Sequence, residues 1–434
     1  MHQHSVLYGV NTRREGVIMR RIISITLMMM LAFTVMLVPA SSAQAATERQ
    51  NDYPIVLVHG LAGFDDLAGI PYWGTTANIS KDLKAKGYDN YVAAVGPFSS
   101  NWDRACELYA QIVGGTVDYG QAHSEKHGHE RYGRTYPGFY PEWGQSDPAT
   151  GQINKVHLIG HSMGGQTIRT LADLLMEGSA EERAVTPEEE LSPLFTGGKP
   201  WLSGLLTVAT PHDGSTAAYC FVGHNRDESL FQTMMLMIAA IGGSSCLDIY
   251  DFHLDQWGLV KQPGESGKAF AKRVEASQVW TAGSDLASWD LQPEGARELN
   301  EWVNAQPEFY YFSQAASCTY KSLLTGRQLP RIEMNPLFYA FSAHIGSYTQ
   351  NKPVVIDKSW WENDGLVSVV TADGPHVGSN DEIIDYNGTP QKGKWNYLGK
   401  IEKVDHMSIT GTLSPRDARP QFRSYAELLA SLPE

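Results

Sequence analysis

Lys155-Val156-His157-Leu158-Ile159-Gly160-His161-Ser162-Met163-Gly164-Gly165 decides the fold. Val156 to Ile159 reads as a buried strand, and from about Met163 to Met176 the apolar residues recur at helical spacing. Gly160-His161-Ser162-Met163-Gly164 is therefore a G-x-S-x-G pentapeptide lodged between a strand and a helix. The pentapeptide alone is a weak signal; its placement makes it a strong one. Such a turn leaves no room for side chains on its flanks, hence Gly160 and Gly164, and it lifts the Ser162 hydroxyl clear of the backbone. Ser162 is the candidate nucleophile.

Working outward, Ile55 to Val58 reads as another buried strand, ending in His59-Gly60, and Ile79 to Lys86 as a helix. Tyr91 to Val95 and Leu205 to Ala209 read as strands, and Asn101 to Val113 as a helix stopped by Gly114-Gly115. Strands alternating with helices predict an α/β fold with a mainly parallel, doubly wound sheet covered on both faces. No period of roughly 20 to 50 residues recurs, which excludes solenoids and propellers.

Two segments break the alternation. Residues 115–150 are rich in Gly, Pro, His and aromatic residues with little periodicity, and predict an inserted subdomain. Residues 211–300 contain Leu230-Phe231 and the run Met234 to Ile241, apolar almost all round. That run fits either a buried core helix or a methionine-rich lid over an apolar site.

The chain has 434 residues, 42% of them hydrophobic, enough for a large core. Its net charge of −14 argues against nucleic acid or an anionic membrane surface as the primary partner. Arg20-Arg21, the apolar run Ile22 to Val38, Pro39 and Ala43-Gln44-Ala45 predict a secretory signal over residues 1–45, with Met19 as an alternative start. The expected product is a secreted, extracellular single domain over 46–434, not one inserted stably in a membrane. Cys106, Cys220, Cys246 and Cys318 are too few for a disulfide framework, and the sequence leaves open whether Cys220 pairs with Cys246.

A serine hydroxyl needs a base, and the base a buried carboxylate to orient it. In a strand–elbow–helix architecture the chain order is Ser, then acid, then His. Asp364, in Asn363-Asp364-Gly365 after the strand-like Val354-Val355-Ile356, is the candidate acid. His406, after a strand-like run from Tyr397 to Val404, is the candidate base. His376 follows Asp364 too closely to leave room for a helix and strand between them. Asp405 adjoins His406, and neighbouring side chains diverge. The oxyanion donors are expected to be the backbone N–H groups of Met163 and of Leu61, in His59-Gly60-Leu61.

Val58-His59-Gly60-Leu61, the stretch Gly96 to Cys106, the stretch Gly114 to Gly120, Gly160 to Gly165, Ala209 to Gly214 and Asn363-Asp364-Gly365 resemble the secreted zinc-containing thermoalkalophilic lipases of Gram-positive bacteria and their staphylococcal relatives. The resemblance implies an α/β-hydrolase fold and a triacylglycerol lipase or carboxylesterase whose helical lid opens at a lipid–water interface. It also assigns Ser162, Asp364 and His406 as the triad. Gly160 and Met163 resemble the staphylococcal elbow; thermoalkalophilic members typically carry Ala and Gln there.

His123, His127 and His129 crowd the insertion, with Asp103 upstream. Read alone, they fit either a zinc site or solvated loop histidines. The resemblance implies a structural zinc held by Asp103, His123, His129 and Asp285, the last through a one-residue insertion near Gly283. It also implies calcium ligands where this chain has Ser408 and Leu413, which cannot replace carboxylates, so calcium binding is expected to be lost or weak. Two competing readings remain at this stage: a zinc hydrolase in which Ser162 is incidental, and a non-catalytic lipid-surface binder.

Overall fold

Ile55–Val58 (β1) and Val156–His161 (β3) lie side by side in parallel near the middle of a seven-stranded sheet. The other strands are Asn90–Ala93 (β2), Leu202–Val208 (β4), Tyr310–Ser317 (β5), Ile383–Asp385 (β6) and Trp395–Glu402 (β7). Their order across the sheet is β6-β7-β5-β4-β3-β1-β2, and every neighbouring pair is parallel. The computed structural model describes residues 48–221, 232–235, 238, 246, 248–281 and 283–434. The signal-peptide reading of 1–45 falls outside the described residues, and Thr47–Glu434 forms one compact unit.

Both faces of the sheet are covered, which is why its central strands are nearly continuous apolar runs. Because successive side chains point to opposite faces, Ile55, Leu57, Ile159 and Leu206 enter one core while Val56, Val58, Leu158 and Leu205 enter the other. Ile79–Ala85 (α1) and Arg419–Ala430 (α5) close the first core with Leu83, Phe422 and Leu429. Asn101–Val113 (α2) and Met163–Glu177 (α4) close the second with Leu108, Ile112, Ile168 and Leu171. Ser100 starts α2 by accepting the Asp103 N–H on its hydroxyl, and Gly114, at φ 90°, ends it.

Several expected elements take a different form. Val354 to Ile356 is not a strand of the sheet: Ile356 and Gln350 exchange backbone hydrogen bonds of 2.8 and 2.9 Å that close a local loop. The alternation that mimics a strand there, Val354 and Ile356 buried and Val355 exposed, serves a small separate cluster with Trp360. The strand that leads toward Asp364 is β5, from whose end residues 318–363 make an excursion; the Cys318 N–H donates to the Asn363 carbonyl at 2.9 Å where the chain returns. The insertion is more regular than expected. Gly115–Asp118 pairs antiparallel with Tyr132–Tyr136, and Gln121–His127 (α3) lies between them. Cys220 and Cys246 are unbridged, as are Cys106 and Cys318. No helix among the described residues is long and apolar enough to cross a membrane.

Candidate active site

β3 ends at His161 and α4 begins at Met163, so Ser162 alone makes the corner. Its φ of 55° and ψ of −131° lie where side chains other than glycine are strained. Two backbone hydrogen bonds hold it there, Ser162 N–H to the Val208 carbonyl at 2.9 Å and Gly165 N–H to the Ser162 carbonyl at 3.0 Å. Backbone packs directly on the corner: a Cβ on Gly160 would sit 2.5 Å from the Gly164 carbonyl, and one on Gly60 would sit 2.6 Å from the Ser162 Cβ. The corner also puts Ser162 at the positive end of the α4 dipole.

The structure brings Ser162, His406 and Asp364 into one chain of hydrogen bonds. His406 Nε2 lies 2.9 Å from Ser162 Oγ, and His406 Nδ1 lies 2.8 Å from Asp364 Oδ2. A carboxylate only accepts, so Nδ1 carries the proton and Nε2 is free to accept from the serine hydroxyl. Asp364 is fixed in turn: its Oδ1 accepts the Leu366 and Val367 N–H groups at 3.0 and 2.8 Å. The His406 N–H donates to the Asp364 carbonyl at 2.9 Å, which clamps the two loops together. All three side chains are buried. Asp405 points elsewhere and accepts the Ser408 and Asn335 N–H groups, each at 2.8 Å. His376 pairs with Asp373 at 2.7 Å.

As the first residue of α4, Met163 has an N–H with no intrahelical acceptor. Leu61 lies in a turn held on both sides, by Gly60 N–H to Tyr72 Oη at 3.2 Å and by Ala62 N–H to the Pro97 carbonyl at 2.9 Å. Arg104, fully buried, braces that turn from below by donating to the carbonyls of His59 and Gly96 and to the Thr167 hydroxyl. Two further residues, to which sequence reasoning gave no role, join the two halves of the site. The His161 Nε2–H donates to the His406 carbonyl at 2.9 Å. Burial, with the His406 imidazole beside it, holds the His161 pKa well below the usual histidine range, so its ring is neutral. Its Nδ1 therefore accepts, and the Tyr72 hydroxyl donates to it at 2.6 Å. Nothing local in the sequence marks Tyr72; it acts through partners 12 and 89 residues away.

Ser162 and His406 line an apolar cavity of about 130 Å³ with Phe64, Met234, Ile238, Leu291, Phe338 and Met407. Met234 and Ile238, four residues apart and both helical, present one face to it. Leu230, Phe231, Leu236, Met237 and Ala239 to Ile241 of the apolar run lie outside the described residues.

Asp103, His123, His129 and Asp285 form a second cluster, each offering a ligand atom within 4.8 Å of the others. His123 Nε2 stands 3.2 Å from Asp103 Oδ1 and 3.1 Å from Asp285 Oδ1, and His129 Nε2 stands 3.2 Å from Asp285 Oδ2. Yet none of these five buried atoms has a hydrogen-bonded partner among the described residues. Buried polar atoms that face one another without bonding fit a central cation. Burial opposes the His123 imidazolium, but Asp103 and Asp285 outweigh it and lift its pKa to about 9. Their surroundings are ordered: Gln256 donates to Asp103 Oδ2 at 2.8 Å, His129 Nδ1 donates to the Glu130 carbonyl at 2.9 Å, and Trp102 stacks on His123. His127 lies beside His123, outside the cluster.

Ser408, where the resemblance implies a calcium ligand, lies in a loop that Arg416 engages. The Arg416 guanidinium donates to the Ser408 and Ile409 carbonyls at 3.1 and 3.0 Å, so a fixed cation already closes that loop.

Residues 51–430 match the family model described as "Lipase-like, C-terminal domain". Lipase 1 of Staphylococcus aureus (strain MRSA252) is 39% identical over 391 residues, covering 87% of this chain and 53% of that protein. The chain thus spans about half the length of the curated relatives it matches. Among solved structures, EstA from Clostridium botulinum is 45% identical with a TM-score of 0.83, covering 92% of each chain. Lipase 1 from Pelosinus fermentans is 47% identical with a TM-score of 0.79, covering 88% of this chain and 100% of that one. Staphylococcus hyicus lipase is 33% identical with a TM-score of 0.72, covering 90% and 98%. The parallel sheet and these likenesses make the fold an α/β hydrolase.

Proposed function

The chain belongs to the lipase-like C-terminal domain family, and on that premise we propose that it is a secreted serine lipase or carboxylesterase acting on acylglycerols and small esters at a lipid–water interface. The observation that carries this reading is the hydrogen-bonded run Ser162–His406–Asp364 opening onto an apolar cavity.

Ser162 Oγ attacks the ester carbonyl as His406 Nε2 takes its proton. Asp364, accepting from Nδ1, stabilises the imidazolium and keeps the ring in the attacking tautomer. The Met163 and Leu61 N–H groups receive the oxyanion, aided by the α4 dipole. His406 returns the proton to the departing alcohol, leaving an acyl-Ser162. Water, deprotonated by the same imidazole, then releases the fatty acid and restores the hydroxyl. The apolar cavity receives the acyl chain, with Met234 and Ile238 in its lining.

Asp103, His123, His129 and Asp285 suit zinc, with two imidazoles and two carboxylates. Held by those four residues, the ion would have a structural role and would supply no chemistry to the reaction. It ties the insertion to the segment carrying Asp285.

The test is covalent labelling by an organophosphate together with Ser162→Ala. Wild-type protein is expected to hydrolyse p-nitrophenyl esters, lose that activity on labelling, and lose both activity and label in the variant. Turnover that persists in Ser162→Ala and disappears only with metal chelation overturns the reading. A chain-length series of esters assayed below and above their solubility then separates lipase from esterase behaviour.

A further inference from the structure

Beyond the active site, the excursion from β5 carries an exposed hairpin, Thr319–Lys321 paired antiparallel with Gln328–Pro330. Its turn is ordered by Ser322 N–H to the Arg327 carbonyl and Gly326 N–H to the Ser322 carbonyl, each at 2.8 Å. At its apex stand Leu323 and Leu324, 102% and 97% exposed. Turn positions ordinarily take small polar residues. Two adjacent leucines held in water by an ordered turn gain nothing within this fold. Ile332, 80% exposed, follows the hairpin in the chain, and Leu337, 46% exposed, lines the cavity that holds Ser162. The root of the hairpin is tied to the site as well: Cys318, at the end of β5, bonds Asn363 and packs with Met334 and Phe338 against Met407.

Charge points to the partner. Residues 319–332 contain Lys321, Arg327 and Arg331 and no Asp or Glu, in a chain whose net charge is −14. Leucines flanked by exposed cations match an apolar surface that bears carboxylates, and the proposed reaction creates such a surface by releasing fatty acid. We propose that this hairpin docks the protein on acylglycerol surfaces enriched in ionised fatty acid, through Leu323 and Leu324 into the apolar layer and Lys321 and Arg327 onto the carboxylates. The inference rests on the ester-hydrolase reading for its substrate surface, not for its geometry.

The full chain is tested by flotation with phosphatidylcholine vesicles, with and without oleate, and by hydrolysis of emulsified triolein against monomeric p-nitrophenyl butyrate. Wild-type protein is expected to bind the oleate vesicles more strongly. Leu323→Ser with Leu324→Ser is expected to weaken adsorption and triolein hydrolysis by about tenfold or more, with butyrate turnover unchanged. Lys321→Gln with Arg327→Gln is expected to erase only the oleate-dependent part. Adsorption by the leucine variant equal to wild type overturns the proposal. So does a dimer-to-monomer shift in sedimentation without change in adsorption, which assigns the leucines to a second copy of the chain. If wild-type protein hydrolyses no ester, the enzymatic reading fails, and vesicle adsorption still judges the hairpin.

Discussion

His161 donates its Nε2–H to the carbonyl of His406 at 2.9 Å, so the residue before the proposed nucleophile holds the loop that carries the proposed base. Through Tyr72 the same chain of bonds reaches Gly60, beside the proposed Leu61 donor. Tyr72→Phe removes the one hydroxyl that serves both ends and leaves a buried imidazole nitrogen and a buried N–H unpaired. Each costs about 1–3 kcal/mol. The expected result is a lower melting temperature together with a kcat reduced by about tenfold or more and a nearly unchanged KM for a short ester. A stability loss with unchanged kcat would reduce Tyr72 to a packing residue.

Asp364→Asn preserves shape and changes logic. The asparagine carbonyl can keep the Leu366 and Val367 N–H groups, which leaves its NH2 facing His406 Nδ1. A donor there drives the imidazole proton to Nε2, where it can no longer accept from Ser162. A folded protein with kcat lowered roughly ten-thousandfold is expected. Circular dichroism and steady-state kinetics on p-nitrophenyl butyrate check both halves.

On the zinc reading, removing the ion leaves Asp103 and Asp285 buried beside each other without a cation. Elemental analysis of the dialysed protein should find about one zinc per chain. Treatment with a strong zinc chelator should lower the melting temperature by several degrees, and Asp285→Ala should abolish metal retention. The Ser162 label should still form at low temperature, because on that reading the metal holds structure and carries no step. A protein free of zinc after metal-free dialysis, with an unchanged melting curve on zinc addition, removes the assignment.

Calcium should behave oppositely. With Arg416 already bonded to the Ser408 and Ile409 carbonyls, a calcium-selective chelator should change neither activity nor melting temperature. Arg416→Met leaves those two carbonyls without their donor, and a loss of about 1–3 kcal/mol in unfolding free energy is expected. Marked dependence of the wild-type protein on calcium would contradict this account.

His157, on β3, is held neutral by burial, its pKa pushed down to about 3, and its Nε2–H donates to Asn51 Oδ1 at 2.9 Å. Unfolding lets it take a proton at its ordinary pKa of about 6.5. The unfolded state therefore binds more protons between those two values, so this residue's contribution is full above about pH 6.5 and is lost as pH falls toward 3. The slope is at most about 1.4 kcal/mol per pH unit. Chemical denaturation of wild type and His157→Gln across that range should show the variant less stable at pH 7 and the gap closing on acidification. A gap independent of pH would refute the linkage.

The motif around Ser162 was legible because strand, elbow and helix are local: their identities are set by periodicity and by the room a tight corner allows. The same is true of the two-faced apolar strands, whose alternation already implies helices on both sides. Asp364 and His406 were legible through chain order, although the strand expected before Asp364 proved to be a loop closed on Gln350. Cluster members Asp103, His123 and His129 are close enough in sequence to suggest a site, whereas Asp285 entered through resemblance. What sequence left unmarked acts across long separations. Tyr72 to His161 spans 89 residues, Gln256 to Asp103 spans 153, and Arg104 finds His59 and Thr167 on either side of it. Hydrogen bonds of that kind carry no periodicity, since a tyrosine or glutamine is marked only by the partner that folding brings to it. Local spacing thus determined the layered α/β core and the serine corner. Only the closed tertiary structure decided which buried donors and acceptors hold the His406 imidazole, the Leu61 turn and the cluster of Asp103, His123, His129 and Asp285 in register.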